Sequence, residues 1–433
     1  MRTEVAEAVD VHRSRYVRWG ICGLLFFATT INYVDRQVLS ILKPTLQAEF
    51  GWREIDYSWI VMAFQLAYAM MMPLAGRLID RIGTRLGYAL AVIVWSVAAI
   101  SHGFARSATQ FIIARFALGA GEAANFPAAV RTVANWFPQE ERSFATGIFN
   151  SGSNVGVIAA ALLVPLITNY MGWQAAFFIT GALGFLWVVP WLLGVKGAEK
   201  DEGAAPTSPA SEPVAYRELL ADRASWAFII GKFVTDPVWW FYLFWIPGFL
   251  NRTYSVDLMS MGPPLIAVYL AADVGSIFGG WLHKGLVARG WNAAAARKTA
   301  MLICGLSATP VMLLLWVDTL WPAVALIGLA AAAHQGWSAN LFTLVSDTFP
   351  KRTVGSVVGL GGLAGGVSGM LISPVVGYWL DWSNGWYQPI FFVAGTAYLV
   401  AFALISTALS LRERAGARSA SPTGRSIKKG PAG

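Results

Sequence analysis

The chain has 433 residues, of which 56% are hydrophobic and 13% charged, and its mean hydropathy is +0.54. A soluble protein carries about 25% charged residues to cover its surface, so a soluble multidomain fold is excluded, and an aromatic content of 13% excludes a disordered chain. The net charge of +8 does not indicate a nucleic-acid partner, because in a membrane protein lysine and arginine positions mainly reflect topology. The composition predicts an all-α polytopic membrane protein.

Twelve apolar runs are each long enough to cross a bilayer, which takes about 20 residues. The first six lie at about 19–41, 58–76, 86–104, 111–134, 144–167 and 175–195. The second six lie at about 225–249, 263–283, 299–317, 322–346, 356–380 and 388–411. Most lysines and arginines fall in the amino terminus, the loops after even-numbered spans and the carboxyl tail. The positive-inside rule therefore predicts a multi-pass protein with both termini in the cytoplasm.

The runs group into two six-helix bundles separated by a polar segment rich in Ala, Pro, Ser and charge. This segment ends in a predicted short helix at residues 216–221. The predicted organisation is a cytoplasmic leader at 1–18, bundles at 19–195 and 225–411, a cytoplasmic linker at 196–224 and a cytoplasmic tail at 412–433. We expect the tail after residue 412 to be disordered.

The two halves share sequence elements in the same order. Phe137-Pro138 matches Phe349-Pro350, and Gly172-Trp173 matches Gly385-Trp386 at nearly the same offset along the chain. This pattern indicates a duplicated six-helix unit. Such repeats place a substrate site near the middle of the membrane, between the halves.

The loop after span 2 reads Gly-Arg-Leu-Ile-Asp-Arg-Ile-Gly-Thr-Arg over residues 76–85. This spacing resembles the signature loop of the major facilitator superfamily, and the similarity extends over the whole chain with its twelve spans, linker and repeat. The resemblance implies a transporter whose halves are latched by this loop during alternating access. The implied gating residues are Gly76, Asp80, Arg81, Gly83 and Arg85. The corresponding region of the second half, residues 279–284, has no acid, so a second latch is not expected there.

Among the charges inside predicted spans, where an ionised group is costly unless it is paired or hydrated, two acids and two bases of the first half stand out. Asp35 and Arg36 lie on span 1, and Arg115 and Glu122 lie two turns apart on one face of span 4. Their charges cancel, which is typical of a buried ion network. The network is either purely structural or titrating, because burial favours a neutral carboxyl group whereas a neighbouring guanidinium favours an ionised one.

Further intramembrane features have simpler interpretations. Arg131 is predicted to anchor span 4 at the interface. Lys232 and Asp236 are one turn apart on span 7 and are expected mainly to pair with each other. The chain shows no metal-ligand spacing, nucleophile motif or cofactor fingerprint supported by its context. We therefore predict no cofactor, no metal and no enzymatic activity.

Within the superfamily, Asn32-Tyr33-x-Asp35-Arg36, together with the span 4 motif, is similar to the anion:cation symporters. The resemblance implies that Arg36 binds a substrate carboxylate. Asp35 and Glu122 would be protonation sites with Arg115 as their charge partner. The remaining implied contacts in this half are Asn32, Tyr33 and Tyr68.

A narrower resemblance is to the hexuronate transporters, carried by residues 334–343, 150–154 and 236–240. A sugar acid needs a cation for its carboxylate, amides and hydroxyls for its hydroxyl groups, and aromatic rings for its C–H surface. The implied residues are Ser153, Asn154, Trp239, Gln335, Trp337 and Asn340. Relatives specific for aldonic acids tend to carry amides at position 153 and at 361–362, and this chain does not.

The sequence thus predicts proton symport of a galacturonate- or glucuronate-type hexuronate across a bacterial inner membrane. The partners are a small organic anion, a coupling proton and membrane lipids, and the transporter is expected to function as a monomer. Sodium coupling through Asp35 and Asn32 is the main variant. The substrate could instead be an aldonate, an aldarate or a small carboxylate, and the transport could be passive uniport.

Overall fold

The computed structural model describes residues 2–195, 216–349 and 351–420, and all regular elements in these ranges are helices. The first half contains α1 (Arg2–Ile41), α2 (Lys43–Phe50), α3 (Glu54–Ile82), α4 (Thr84–His102), α5 (Ala108–Glu122), α6 (Asn125–Trp136), α7 (Gln139–Met171) and α8 (Trp173–Gly194). The second half contains α9 (Tyr216–Ala221), α10 (Arg223–Tyr254), α11 (Gly262–Ala288), α12 (Ala293–Ala308), a 3₁₀ segment (Thr309–Trp316), α13 (Leu320–Thr348), α14 (Lys351–Trp382) and α15 (Gln388–Ala420).

Eight of the described helical segments are long and apolar enough to cross a membrane by length and composition. The other four predicted spans lie on α3, on α5 together with α6, on α10 and on α13. These four include polar residues that are buried against other helices instead of facing lipid, among them Arg115, Glu122 and Lys232.

The apolar run predicted as one span at 111–134 forms two helices, because the regular α-helical hydrogen-bond pattern is interrupted at residues 123–124. The amide of Ala124 bonds to the carbonyl of Gly121, three residues back. Pro127 has no N–H to donate to the carbonyl of Ala123, so the regular ladder is interrupted at this point.

A proline also changes the predicted span at 299–317. After Ala308 the helix tightens into the 3₁₀ segment, which contains Pro310. A proline ring clashes with the carbonyl four residues before it, and a tighter 3₁₀ turn is a common way for a helix to continue.

Matched local geometry supports the duplication. Phe137 and Phe349 each end a helix with φ of −113° and −111°, and each donates its N–H to the carbonyl four residues earlier. Gly172 and Gly385 have φ of +85° and +82°, a conformation that L-residues with side chains rarely adopt. The two halves therefore share turns as well as sequence.

The carboxyl end of the chain differs in part from the prediction, because residues 412–420, predicted as disordered, continue α15. Residues 2–18, predicted as a cytoplasmic leader, form the start of α1. The short helix predicted at 216–221 is present as α9. Residues 196–215 and 421–433, which contain most of the predicted linker and tail, lie outside the described residues.

The two halves contact each other mainly at one end of the bundle. There, the Tyr57 hydroxyl on α3 donates to the Phe244 carbonyl on α10 at 2.7 Å. The Asp381 carboxylate on α14 accepts the N–H groups of Glu54 and Ile55, both at 2.9 Å. These bonds join the start of α3 to the ends of α10 and α14.

Further along the same three helices, a cavity of about 560 Å³ separates the halves. Its walls are formed by Tyr68, Ala69 and Met72 of α3, by Asp236 and Trp240 of α10, and by five residues between 359 and 366 of α14. The cavity lies toward the end of the bundle that carries the 76–85 loop. The halves are thus closed at one end and separated at the other.

Candidate functional site

A buried ion pair lies beside the cavity. The Nε of Arg36 on α1 is 2.6 Å from Oε2 of Glu122 on α5, and both side chains are almost inaccessible to solvent. The Arg36 guanidinium also lies 4.7 Å from the ring of Tyr33, 5.1 Å from that of Phe64 and 4.8 Å from that of Tyr68. Three aromatic faces and one carboxylate therefore hold this cation in place. Tyr68 also lines the cavity.

Arg115 lies next to this pair but does not bond to its carboxylate. Its Nη2 donates to the backbone carbonyl of Arg36 at 3.3 Å, and its guanidinium lies 5.9 Å from the Phe64 ring. Its Nε and Nη1 have no hydrogen-bond partner among the described residues. Arg115 thus supplies a second positive charge to the cluster that contains Glu122.

Asp35 and Asn32 are buried on α1 with unused hydrogen-bonding capacity. Asp35 is 2% exposed and lies near the Thr180 hydroxyl of α8, and Asn32 is fully buried. Within the described part of the chain, neither side chain makes a hydrogen bond within 3.5 Å, and Oε1 of Glu122 is also unbonded. Buried polar groups normally have partners. These oxygens are acceptors that a proton or a small cation would satisfy.

Two glycines bring α5 close enough to form the cluster. A Cβ at Gly119 would overlap the backbone carbonyl of Phe64 on α3, and one at Gly121 would lie 2.8 Å from the backbone nitrogen of Trp95 on α4. This close packing sets the position of the helix that carries Glu122.

The opposite wall of the cavity carries a second ion pair. The Nζ of Lys232 is 2.8 Å from Oδ2 of Asp236, one turn further along α10. Asp236 and Trp240 line the cavity together with Tyr68. The Lys232 ammonium also lies 4.8 Å from the ring of Phe342 on α13. The predicted pairing of Lys232 with Asp236 is therefore present.

An aromatic chain links the halves near the ion pairs. Trp239 stacks on His334 with ring centroids 4.9 Å apart, and His334 Nδ1 lies 2.8 Å from the Tyr398 hydroxyl. Trp239 also meets the ring of Tyr269 edge-on at 6.4 Å, and the Gln37 amide donates to the Tyr269 hydroxyl at 3.5 Å. Gln37 follows Arg36 on α1, so this series of side-chain contacts extends from the second half to the first half at the site.

The three implied ligands on α13 have different surroundings. The Asn340 amide donates to the carbonyl of Gly279 at 2.9 Å and its oxygen accepts from Arg297 at 3.3 Å. Trp337 is fully buried, whereas Gln335 is half-buried. Asn340 and Trp337 are thus engaged in packing within the second half. Gln335 is the more accessible of the three.

Ser153 and Asn154 lie on α7. The Ser153 hydroxyl donates to the carbonyl of Asn150 at 2.7 Å. The Asn154 amide bonds to the Asp273 carboxylate on α11, a contact between the halves. Asn154 therefore helps to join the halves in this conformation.

The 76–85 loop contacts the first half in the described structure. The Arg85 guanidinium donates to the Leu192 carbonyl on α8, with Nη2 at 2.9 Å. Gly83 has φ of +82° and forms the turn between α3 and α4, while Gly76 has open space around it and Arg81 is exposed. The Asp80 side chain lies outside the described side chains. The latching role of this loop stays a prediction.

Sequence reasoning missed two buried contacts. The fully buried Lys43 pairs with Glu54 at 2.6 Å, and Gln65 accepts from the Ser373 hydroxyl at 2.9 Å across the halves. The first has a sequence signal, since a lysine after span 1 and a glutamate before span 2 flank a glycine turn at Gly51. The second joins residues far apart in the chain, and spacing does not reveal it. Among the described residues, no group of three His, Cys, Asp or Glu side chains could hold a metal ion.

Residues 25–371 match the Major Facilitator Superfamily, which covers most of the chain. The chain belongs to this superfamily. It is a multi-pass membrane transporter and not an enzyme, and the predicted twelve-helix fold is confirmed by this match.

Curated relatives include transporters of sugar acids. The chain is 32% identical over 410 residues to the hexuronate transporter of Escherichia coli K12, covering 91% of this chain and 94% of the relative. It is 30% identical over 404 residues to the D-galactonate transporter of Escherichia coli CFT073, covering 88% and 93%. The predicted resemblance to hexuronate transporters is thus confirmed.

The fold is also similar to a solved structure. A bacterial homologue of the human lysosomal transporter Spinster, crystallised in an inward-facing and unoccupied conformation, superposes with a TM-score of 0.71 at 19% identity. The match covers 94% of this chain and 99% of the other.

Proposed function

We propose that this transporter imports a hexuronate of the galacturonate or glucuronate type by proton symport. The observation that carries the proposal is the buried Arg36–Glu122 pair beside the cavity, with Asp35 buried and unbonded near it. To bind an organic anion, the site needs a cation that can exchange one carboxylate partner for another. To couple this binding to protons, the site needs a carboxylate that releases the cation when it is protonated.

Substrate binding follows from the surroundings of Arg36. A guanidinium can bind a carboxylate through two parallel hydrogen bonds, which gives orientation as well as affinity. The Tyr68 hydroxyl can bond to sugar hydroxyls in the cavity, and the Trp240 ring offers a face for the C–H surface. This chain is similar over most of its length to transporters of hexuronate and of D-galactonate, which supports a sugar acid as the substrate class.

Coupling follows from competition for the same guanidinium. In the outward-open state, protons bind Asp35 and Glu122, and the salt bridge to Arg36 is released. The substrate carboxylate then takes the place of Glu122. The loaded carrier, in which the substrate carboxylate pairs with Arg36, or the empty carrier, in which Glu122 pairs with it again, can change conformation, because in both states Arg36 has a carboxylate partner.

The proposed orientation places both termini in the cytoplasm of a bacterial cell, with the protein in the inner membrane. The end of the bundle held by Asp381 and Tyr57 would then face outward, and the end near the 76–85 loop would face inward. In this orientation the cavity opens toward the cytoplasm, and the structure corresponds to the inward-facing state. We take the predicted bundles at 19–195 and 225–411 as the two bodies that rock.

Uptake of labelled D-galacturonate into proteoliposomes tests this function. With an acidic exterior, we expect accumulation above the external concentration, and a protonophore should abolish it. A sodium gradient at equal pH should give no accumulation.

Three results would contradict parts of the proposal. Accumulation driven by a sodium gradient would show that sodium, and not the proton, is the coupling ion. Equilibration of the substrate that is independent of every gradient would identify a uniporter. Uptake of an aldonate without uptake of a hexuronate would show that the proposed substrate is wrong.

A further inference from the structure

The cavity lies between two ion pairs of different accessibility. On the first half, Arg36 is bonded to Glu122 and faces Tyr68, which lines the cavity. On the second half, Asp236 lines the cavity, whereas Lys232 lies one turn behind it on α10 and is 9% exposed. A ligand in the cavity therefore meets the carboxylate of the second pair before its ammonium.

The second ion pair is held in this arrangement by its neighbours. Helix α14 packs so closely on α10 that a Cβ at Gly365 would overlap the Asp236 carboxylate. The Lys232 ammonium is fixed from the other side by the Phe342 ring at 4.8 Å. Asp236 thus has α14 on one side and the cavity on another, while Lys232 lies between Asp236 and the Phe342 ring.

We propose that Asp236 is a specificity-determining residue that masks Lys232 and restricts the transporter to substrates with one carboxylate. The inference rests on the proposed transport of a sugar acid through this cavity. It assigns to Asp236 the exclusion of aldarates, the six-carbon sugar acids with a carboxylate at each end.

The physical reason is repulsion in a medium of low dielectric constant. A substrate whose first carboxylate binds Arg36 extends its other end across the cavity toward the second half. A hydroxyl at that end can donate a hydrogen bond to the Asp236 carboxylate, whereas a carboxylate meets a like charge that is poorly screened there. Specificity gained by repelling the wrong ligand is a common device in binding sites.

The same geometry predicts the effect of removing the charge. In Asp236→Asn the carboxylate is replaced by an amide of similar size, and Lys232 loses its partner. Its ammonium then becomes the counter-charge for a second carboxylate of the substrate. A new charge-assisted hydrogen bond of this kind corresponds to an affinity gain of about tenfold or more.

Galactonate and galactarate are matched probes, since galactarate has a second carboxylate where galactonate has a primary hydroxyl. Binding of each is measured by displacement of labelled D-galacturonate from the purified, detergent-solubilised protein. For the wild type, we expect galactarate to bind at least about tenfold more weakly than galactonate. For Asp236→Asn, the ratio of the two affinities should shift toward galactarate by about tenfold.

Two further variants separate masking from a general effect on the pocket. Asp236→Glu keeps the negative charge and should keep the preference for galactonate. Asp236→Asn combined with Lys232→Met removes the ammonium as well, and the gain for galactarate should disappear.

Each outcome bears on one of the two proposals. If the wild type binds galacturonate and also binds galactarate as well as galactonate, the masking role is wrong. The same holds if Asp236→Asn binds galacturonate but leaves the ratio unchanged. If the wild type binds none of the three sugar acids, the proposed function itself is wrong. If Asp236→Asn does not fold, equal binding of galactarate and galactonate by the wild type still overturns the masking role.

Discussion

Asp381 on α14 caps the amino terminus of α3 by accepting the N–H groups of Glu54 and Ile55, each at 2.9 Å. The first turn of a helix has N–H groups without partners inside the helix, and a carboxylate there is stabilised by the helix dipole. In this chain the cap comes from the other half of the protein. Separation of the halves at this end therefore removes the cap from α3.

We expect Asp381→Ala to favour opening at this end. Loss of a helix cap costs about 1 kcal/mol, which corresponds to a roughly fivefold shift in the balance between closed and open states. Spin labels at Arg106 and Asp318, in exposed loops of the two halves at this end, measure the change by pulsed electron paramagnetic resonance. The population with a longer distance between the labels should grow.

Asp381→Asn is the intermediate variant for this experiment, because asparagine keeps the size of the side chain but has one acceptor oxygen for the two N–H groups that Asp381 binds. Its population of open molecules should lie between those of the wild type and Asp381→Ala. If both variants open equally, one hydrogen bond to α3 is not enough to hold the halves together. If neither opens, the contact plays no part in closure.

Gly119→Ala should destabilise the protein. The added Cβ would overlap the Phe64 carbonyl and push α3 away from α5, and overpacking of this kind typically costs about 1–3 kcal/mol. Gly147→Ala on α7 is the control, since a Cβ there meets nothing within 4 Å. A helical glycine replaced by alanine in open space should be neutral or stabilising.

Thermal unfolding in detergent measures both glycine variants. We expect a lower midpoint for Gly119→Ala and an unchanged or higher midpoint for Gly147→Ala. Equal midpoints for the two variants would show that the helices separate without cost at Gly119.

Arg36→Lys should weaken galacturonate binding by at least about tenfold. Lysine keeps the charge but lacks the planar group that bonds a carboxylate through two nitrogens and stacks on aromatic rings. Arg106→Lys, in an exposed loop, should bind like the wild type. Ligand-induced thermal stabilisation compares the three proteins, and wild-type affinity in Arg36→Lys would exclude a bidentate contact with the substrate.

The sequence predicted the fold well because composition and periodicity decide it. Apolar runs and the loop at 76–85 indicated the superfamily, and the pair Lys232–Asp236 followed from helical spacing. The breaks near Pro127 and Pro310 were not predicted, since hydropathy does not register the loss of one backbone hydrogen bond.

The sequence indicated which residue types form the candidate site, but it did not indicate most of the contacts among these residues. The four charges of the first half lie together, but spacing along a helix could not show that Arg36 bonds to Glu122 while Arg115 bonds to a backbone carbonyl. Nor could it show that Asn340 is engaged by Arg297. Such pairings depend on how helices are rotated against each other, which the tertiary packing decides.

Glu122→Gln tests the central claim of proton coupling most directly. Glutamine keeps the size of the side chain and resembles the protonated carboxyl group, so it cannot bind and release a proton. In proteoliposomes with an acidic exterior, we expect the variant to lose gradient-driven accumulation of D-galacturonate while it retains binding and exchange of internal for external substrate. Driven accumulation at the wild-type rate in Glu122→Gln would contradict proton coupling through this residue.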